Sequence, residues 1–186
     1  MIEPFTHMLS GGHPNSLGRT REVVEHVLKA PERVHELLNA YDDTDPVVRL
    51  RVSSAFKRIV QGNHTLMVEH LDAFLDKVIE LPHVGAQPSA QWTVAQICLA
   101  LTKDLSKAQY ERVKTHLMSN LETINDWIVL AQTMETLSGW AVNDLGLAKW
   151  LRPRLKLRVA DPRPAVSKKA GKSLQQVENA LAKQRS

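Results

Sequence analysis

The sequence predicts an all-α protein built from a row of helix pairs, and three observations predict that fold class. A short motif returns at intervals of 42, 39 and 37 residues when its copies are aligned on Val48, Ala90, Val129 and Val166. Apolar residues within each copy recur at steps of three and four, as they do on one face of a helix. No useful length of chain shows the alternation of apolar and polar residues that is typical of a half-buried strand.

The first predicted element is a capping helix from about Ser16 to Leu28, which would cover the open N-terminal end of the array. Residues 1–15 are expected to be irregular, because glycine and proline interrupt them. The first pair begins at Pro31 and its second helix at the turn before Pro46, with Asp45 as the N-cap. The second helix carries an apolar stripe of Val48, Val52, Ala55, Phe56 and Ile59.

The other three pairs follow the same scheme, each with an amphipathic helix before the motif. Asp126 is the predicted cap in the third copy, Asp161 and Pro164 frame the fourth, and the second, from Gln87, has no capping aspartate. The stripes predict burial at twelve positions: Val48, Val52, Ile59, Leu71, Leu75, Val94, Cys98, Leu117, Val129, Leu137, Val166 and Leu174.

The turn motif resembles the HEAT repeats of the armadillo-like superfamily. The residues that match best are Asp43, Pro46, Val48, Arg49, Val52 and Phe56, followed by Asp161, Pro164, Val166, Ala170 and Leu174. The resemblance covers residues 31–182. It implies a right-handed α-α superhelix of about four HEAT-like helix pairs plus the N-terminal capping helix. The chain is similar to small stand-alone bacterial members, for which no common activity is known.

One feature departs from the HEAT pattern. HEAT arrays often carry an arginine after the turn valine that pairs with turn aspartates from repeat to repeat. Only Arg49 is present here, and the equivalent positions are Gln91, Leu130 and Ser167. A continuous ladder of such pairs is therefore not expected.

Composition favours one domain over residues 1–186 in the cytoplasm. The chain is 43% hydrophobic and 24% charged, and no apolar run approaches the roughly 20 residues of a membrane span. Its N-terminus lacks the pattern of a signal peptide. The single Cys98 lies on an apolar stripe and is predicted to be a buried hydrophobe. No pattern for catalysis, a metal or a cofactor is found, and the histidines are too scattered to share a metal.

Charge is unevenly distributed along the chain. From Lys149 to the end there are 11 Lys and Arg against two acidic residues, whereas the rest has a net charge of −5. Such a basic segment can contact nucleic acid or an acidic partner, or it can simply solvate the outer face of the last helix. No Lys or Arg occurs from Val78 to Thr102 or from Thr115 to Ala148. A groove formed by the second helices would thus be neutral in its middle.

These patterns predict a non-catalytic module that binds a protein on the concave face of the solenoid. The end of the concave groove near the first repeat would be basic and would include Arg51 and Arg58. The predicted binding residues are Arg49, Lys57, Gln91, Gln132, Glu135, Arg152, Arg154, Arg158, Lys168 and Lys169. No membrane partner is expected.

Two alternatives remain open. One is nucleic-acid binding through the basic C-terminal region, distantly like the HEAT-like DNA glycosylases of alkylation repair, in which tryptophans and an aspartate cradle a damaged nucleotide. Asp126 and Trp127 resemble that pair, but we interpret them as a helix cap and a packing residue between repeats. The other alternative is an accessory or regulatory helper of a larger enzyme.

Overall fold

The computed structural model describes residues 3–13, 15–80 and 87–183, and every regular element in these ranges is helical. The α-helices are α1 (Phe5–Leu9), α2 (Thr20–Lys29), α3 (Val34–Asn39), α4 (Pro46–Gly62), α5 (His64–Glu69), α6 (Leu71–Leu75), α7 (Pro88–Ala100), α8 (Lys107–Thr123), α9 (Trp127–Ala141), α10 (Leu145–Val159) and α11 (Pro164–Lys183). Two 3-10 turns, Pro31–Arg33 and Ala40–Asp42, flank α3, and a π-helical turn, Asp76–Glu80, follows α6. The predicted all-α class is confirmed.

The chain divides into two compact units, Met1–Asp104 and Leu105–Ser186, called here the N-terminal and C-terminal units. In the N-terminal unit α4 packs against both α2 and α7. In the C-terminal unit α11 packs against α9 and α10, and α8 packs against α9. The single domain predicted over 1–186 stays a prediction. Among the described residues, no helix combines the length and the apolar character that crossing a bilayer requires.

The predicted caps begin the helices as expected. Asp45 Oδ1 accepts a 2.8 Å hydrogen bond from the backbone N–H of Val47, at the start of α4. Asp126 Oδ1 accepts two bonds of 2.9 Å, from the N–H groups of Ile128 and Val129, at the start of α9. Each bond satisfies a donor that the first helical turn leaves without a partner.

The predicted core is confirmed at eleven of its twelve positions, and Leu174 is the error. Leu174 is half-buried, while its neighbour Ser173 is buried. Ser173 accepts a hydrogen bond of 3.1 Å from Ser138 Oγ and donates one of 3.3 Å to the carbonyl of Met134. A polar contact to α9 therefore selects the serine for the buried position on α11.

The N-terminal segment is more ordered than the sequence suggests. The stretch 1–15, expected to be irregular, contains α1, because Phe5, Met8 and Leu9 are all buried. The capping helix α2 begins at Thr20 rather than near Ser16.

Residues 9–13 and 16 wrap around Arg51, a side chain that is only 1% exposed. Its guanidinium donates hydrogen bonds of 2.6 to 3.2 Å to the carbonyls of residues 9, 10, 11, 13 and 16. A Cβ atom on Gly18 (φ +49°) would lie 2.9 Å from Arg51 Cζ. The sequence suggested that Arg51 contributes to a basic groove. That prediction is wrong, because the loop encloses the side chain.

Candidate functional site

A groove of about 700 Å³ opens in the C-terminal unit between the C-terminal ends of α8 and α10. We call it the C-terminal groove. Its lining residues are Leu121, Glu122, Pro153, Arg154, Leu157, Arg158, Ala160 and Asp161. Two predicted binding residues, Arg154 and Arg158, are brought together here. Both lie on α10, the helix that precedes the fourth copy of the motif, whereas the predicted concave face is formed by the second helices.

The charged side chains of the C-terminal groove neutralise one another. Arg154 Nε and Nη2 lie 2.8 and 2.6 Å from Glu122 Oε1, and the Arg154 guanidinium stacks 3.8 Å above the ring of Trp150. Arg158 donates a 2.9 Å hydrogen bond from Nη2 to the carbonyl of Leu121, and its Nη1 lies 3.8 Å from Asp161 Oδ2. The groove therefore offers little unpaired charge to a ligand.

Asp161 is fixed by Arg163, a residue that sequence reasoning missed. Arg163 Nε and Nη2 each donate a 2.8 Å hydrogen bond to the carboxylate, and these bonds hold the pKa of Asp161 well below its usual range. Arg163 also donates a 2.6 Å bond to the carbonyl of Asn125, in the turn before α9. In the N-terminal unit Arg49 links turns in a similar way, with Nε 3.2 Å from Gln87 Oε1. Arg163 lies three residues before the turn valine Val166, whereas the predicted ladder position follows that valine.

Apolar side chains at the end of α10 are strongly exposed. Leu157, which lines the C-terminal groove, is 76% exposed, and nearby Val159 is 43% exposed. Pro153 and Ala160, also in the groove lining, are exposed as well. Exposed apolar side chains that cluster beside a concavity are typical of interaction surfaces.

A second groove, of about 500 Å³, lies in the N-terminal unit between α4 and α7, which are the predicted second helices of the first two pairs. We call it the N-terminal groove. It is lined by Lys57, Arg58, Val60, Gln61, Gln96, Ile97 and Ala100, so it includes the predicted residue Lys57. Partial burial, with a smaller contribution from Arg58, lowers the pKa of Lys57. Gln96 Oε1 is buried and has no hydrogen-bond partner among the residues that the structure describes.

The other predicted binding residues do not form one site. Gln91 is 2% exposed and belongs to the core, so its prediction as a surface contact is wrong. Glu135 and Lys169 form an ion pair of 2.9 Å between α9 and α11. The remaining placements are Arg152 paired with Glu178 at 3.2 Å, Gln132 half-buried on α9, and Lys168 exposed on α11.

Trp127 is half exposed at the first turn of α9, so the prediction that it packs between repeats is wrong. Trp127 is the first residue of α9, and the buried face of the helix starts two residues later, at Val129. Asp126, by contrast, acts as the predicted cap.

A polar cluster that resembles a reactive site has a structural explanation. Tyr110 donates a 3.1 Å hydrogen bond to Asp144 Oδ2, and Lys114 Nζ lies 3.1 Å from the same oxygen. Asp144 Oδ1 accepts a 2.9 Å bond from the N–H of Leu147 and so caps α10. The cluster ties α8 to the start of α10.

The single cysteine is buried, and two of the histidines make polar contacts. Cys98 is buried, and this burial raises the pKa of its thiol to about 12. His64 pairs with Asp104 at 2.8 Å, and His70 contacts the carbonyl of Leu66 at 3.0 Å. Within the described ranges, no three His, Cys, Asp or Glu side chains come close enough to hold a metal ion.

Comparisons with protein-family models, with curated proteins and with solved structures found no match for this chain. The two grooves are therefore defined by the chain's own geometry and charge.

Proposed function

We propose that this protein is a non-catalytic binding module that takes another protein as its partner, and that the C-terminal groove is a contact surface. The observation that carries this proposal is Leu157, which is 76% exposed at a groove whose arginines and carboxylates already pair with each other. What remains available in the groove is apolar surface.

Such a surface suits a protein partner in both energy and composition. Burying a leucine side chain contributes roughly 1.5 to 3 kcal/mol. Arginine is enriched at protein interfaces, where its planar group can stack, as Arg154 already does on Trp150. A partner that presents an apolar side chain would cover Leu157 and Pro153 while leaving the ion pairs in place.

We infer further that the helix pairs of each unit are HEAT-like repeats stacked in a right-handed superhelix. The capping aspartates at the starts of α4 and α9 support this interpretation. So do the turn-to-turn contacts of Arg49 and Arg163. In that arrangement α4, α7, α9 and α11 would supply the concave faces, and the groove between α8 and α10 would lie on the opposite side.

The test replaces the exposed leucine. Leu157→Asp should abolish capture of the native partner from host extract, because a carboxylate would have to be desolvated at the apolar contact. Val142→Asp is the matched control, since Val142 is 43% exposed in the same unit but lies outside the groove. Proteins retained by the parent and by Val142→Asp, and lost with Leu157→Asp, would be the partners. Equal capture by all three chains would contradict the proposal.

Nucleic-acid binding is a second candidate, and one observation favours it. The C-terminal unit has 14 Lys and Arg against seven acidic residues. Its exposed Lys149, Lys156, Lys168 and Lys172 form no ion pair with any described residue. We expect only weak binding of duplex DNA that falls steeply with salt. Submicromolar binding at physiological salt, weakened when these lysines become glutamine, would favour nucleic acid over a protein partner.

The glycosylase alternative and the helper alternative have separate tests. Release of alkylated bases that is lost in Asp126→Asn would establish base excision; we expect none, because the Asp126 carboxylate already caps α9. If the captured partner is an enzyme whose rate changes on addition of this protein, the protein is an accessory subunit. Both assays include the Leu157→Asp and Val142→Asp variants, which show whether the measured activity requires the C-terminal groove.

A further inference from the structure

We propose that the N-terminal groove is a separate site that binds an acidic peptide segment of a protein, with the peptide carboxylate at Lys57 and Arg58 and a backbone N–H at Gln96. This site lies in the other unit and does not depend on the C-terminal groove. Its occupant differs in chemistry, because the two grooves differ in charge.

The groove contains positive charge with no internal counter-charge. Helix α4 carries Arg49, Arg51, Lys57 and Arg58 and has no acidic residue. Among the described residues, none of the groove's lining side chains is acidic, and neither Lys57 nor Arg58 forms an ion pair. Arg58 is anchored through Nη1, which donates to Ser54 Oγ at 2.6 Å and to the Ser54 carbonyl at 2.9 Å. This anchoring fixes the guanidinium at the groove while Nε and Nη2 keep their donors for a ligand.

Partial burial and the neighbouring Arg58 disfavour the charged form of Lys57, and a bound carboxylate would offset that repulsion. The lowered pKa of Lys57 is consistent with such strain, since its causes are burial and the neighbouring Arg58. A ligand carboxylate bound there would raise the pKa of Lys57 again. Binding should therefore weaken as pH rises far enough to deprotonate this lysine.

Gln96 gives the groove a hydrogen-bond acceptor that the fold leaves unused. Its Oε1 has no donor within the described chain and is shielded from water. Because no hydrogen bond of this oxygen has to break, rotation of the side chain into the groove needs only a new donor to be favourable. A peptide supplies an N–H group at every residue except proline, and so can place one beside its acidic side chain.

The groove fits a peptide better than a nucleic acid. Its α7 side has no Lys or Arg, because none occurs from Val78 to Thr102, so a phosphate backbone would meet cations on one wall only. Val60, Ile97 and Ala100 form an apolar lining that suits the aliphatic residues next to an acidic one. The occupant is therefore a short acidic stretch with apolar neighbours.

The test uses the full chain and a fluorescein-labelled hexapeptide of alternating Glu and Leu, with its Gln-and-Leu counterpart as the neutral probe. Fluorescence anisotropy at low salt should show binding of the acidic peptide and at least about tenfold weaker binding of the neutral one. Lys57→Gln and Arg58→Gln should each weaken the acidic peptide by about tenfold. Lys29→Gln is the matched control, because Lys29 is exposed in the same unit and lies outside the groove.

Four results would overturn the proposal. These are equal binding of both peptides, unchanged affinity in Lys57→Gln and Arg58→Gln, an equal loss in Lys29→Gln, and tighter binding of a single-stranded oligonucleotide that the same two variants abolish. The last would make the groove a nucleic-acid site. Gln96→Leu should also weaken the acidic peptide, and parent-like affinity would remove Gln96 from the site. Circular dichroism melting of each variant separates loss of binding from loss of fold.

Discussion

The two grooves place their cations in opposite electrostatic settings. In the C-terminal groove Arg154 and Arg158 face Glu122 and Asp161, whereas in the N-terminal groove Lys57 and Arg58 face no described carboxylate. Net charge suggests the reverse, since the N-terminal unit has 10 Lys and Arg against 13 acidic residues and the C-terminal unit is the basic one. The charge of a segment therefore does not locate the positive charge that a ligand can reach. The pairing of each cation decides that.

Arg51 is the extreme case of a cation without a carboxylate. It is buried, and backbone carbonyls from a loop 35 to 42 residues earlier in the chain satisfy its donors. The carbonyl dipoles replace both water and a counter-ion. Arg154, on α10, is partly exposed and paired with a carboxylate, so it is expected to matter far less for stability.

The largest expected effect is that of Arg51→Met. The substitution removes every donor from the loop between α1 and α2, so its carbonyls must find water and the loop must detach. We expect a loss of about 3 to 5 kcal/mol in the free energy of unfolding. Arg154→Met should lose about 1 kcal/mol or less. Urea denaturation measures both, and hydrogen exchange should show protection lost around α1 in the first variant alone. Similar losses in the two variants would break the comparison.

A pair of glycine substitutions sharpens the comparison further. Gly18 and Gly11 both have positive φ, +49° and +67°, but only a Cβ on Gly18 would meet Arg51. Gly11→Ala should therefore cost about 1 to 2 kcal/mol from backbone conformation alone. Gly18→Ala should cost more, because the contact lies at the planar head of a side chain held by many hydrogen bonds. Equal losses of unfolding free energy would mean that Arg51 yields to the new methyl group.

The sequence could predict features that depend on neighbours along the chain. The caps at Asp45 and Asp126 and the buried stripes were predicted correctly, because a helix brings residues three and four apart onto one face. An apolar stripe can continue by a step of three or of four residues at each turn, however. The choice of Ser173 over Leu174 depended on Ser138, 35 residues away.

The pairing of charges could not be predicted in the same way. The partner of Arg154 is 32 residues away and that of Lys169 is 34 residues away, and nothing local distinguishes them from Lys168, which stays exposed. The enclosure of Arg51 was equally hidden, because a guanidinium in a helix is usually a surface charge. The glycine-rich segment at residues 11–18 was the available signal, since glycine permits close approach to another group.

Removing one carboxylate from the C-terminal groove tests whether the pairing of its arginines controls which ligand it binds. Glu122→Gln removes the partner of Arg154 and leaves the groove with an uncompensated guanidinium, as in the N-terminal groove. We expect a change of under about 1 kcal/mol in stability, because the pair is partly exposed. In a Lys57→Gln background, Glu122→Gln should restore weak binding of the Glu-and-Leu hexapeptide, measured by anisotropy. If it restores none, unpaired charge alone does not define a peptide site.

The smallest expected effect concerns Cys98, on α7 in the core beside the N-terminal groove. Its thiol is buried, and because burial raises its pKa to about 12, almost none of it is thiolate at pH 8. We therefore expect reaction with Ellman's reagent to be slow in the native protein and complete in 6 M guanidinium chloride. Occupation of the groove by the acidic hexapeptide should slow the native reaction further, because labelling then requires the bound protein to open. Cys98→Ala, as the control, should show no labelling in either condition. Rapid native labelling that the peptide leaves unchanged would mean that α7 opens independently of the groove. The proposed site would then lack a rigid wall opposite the two half-buried cations.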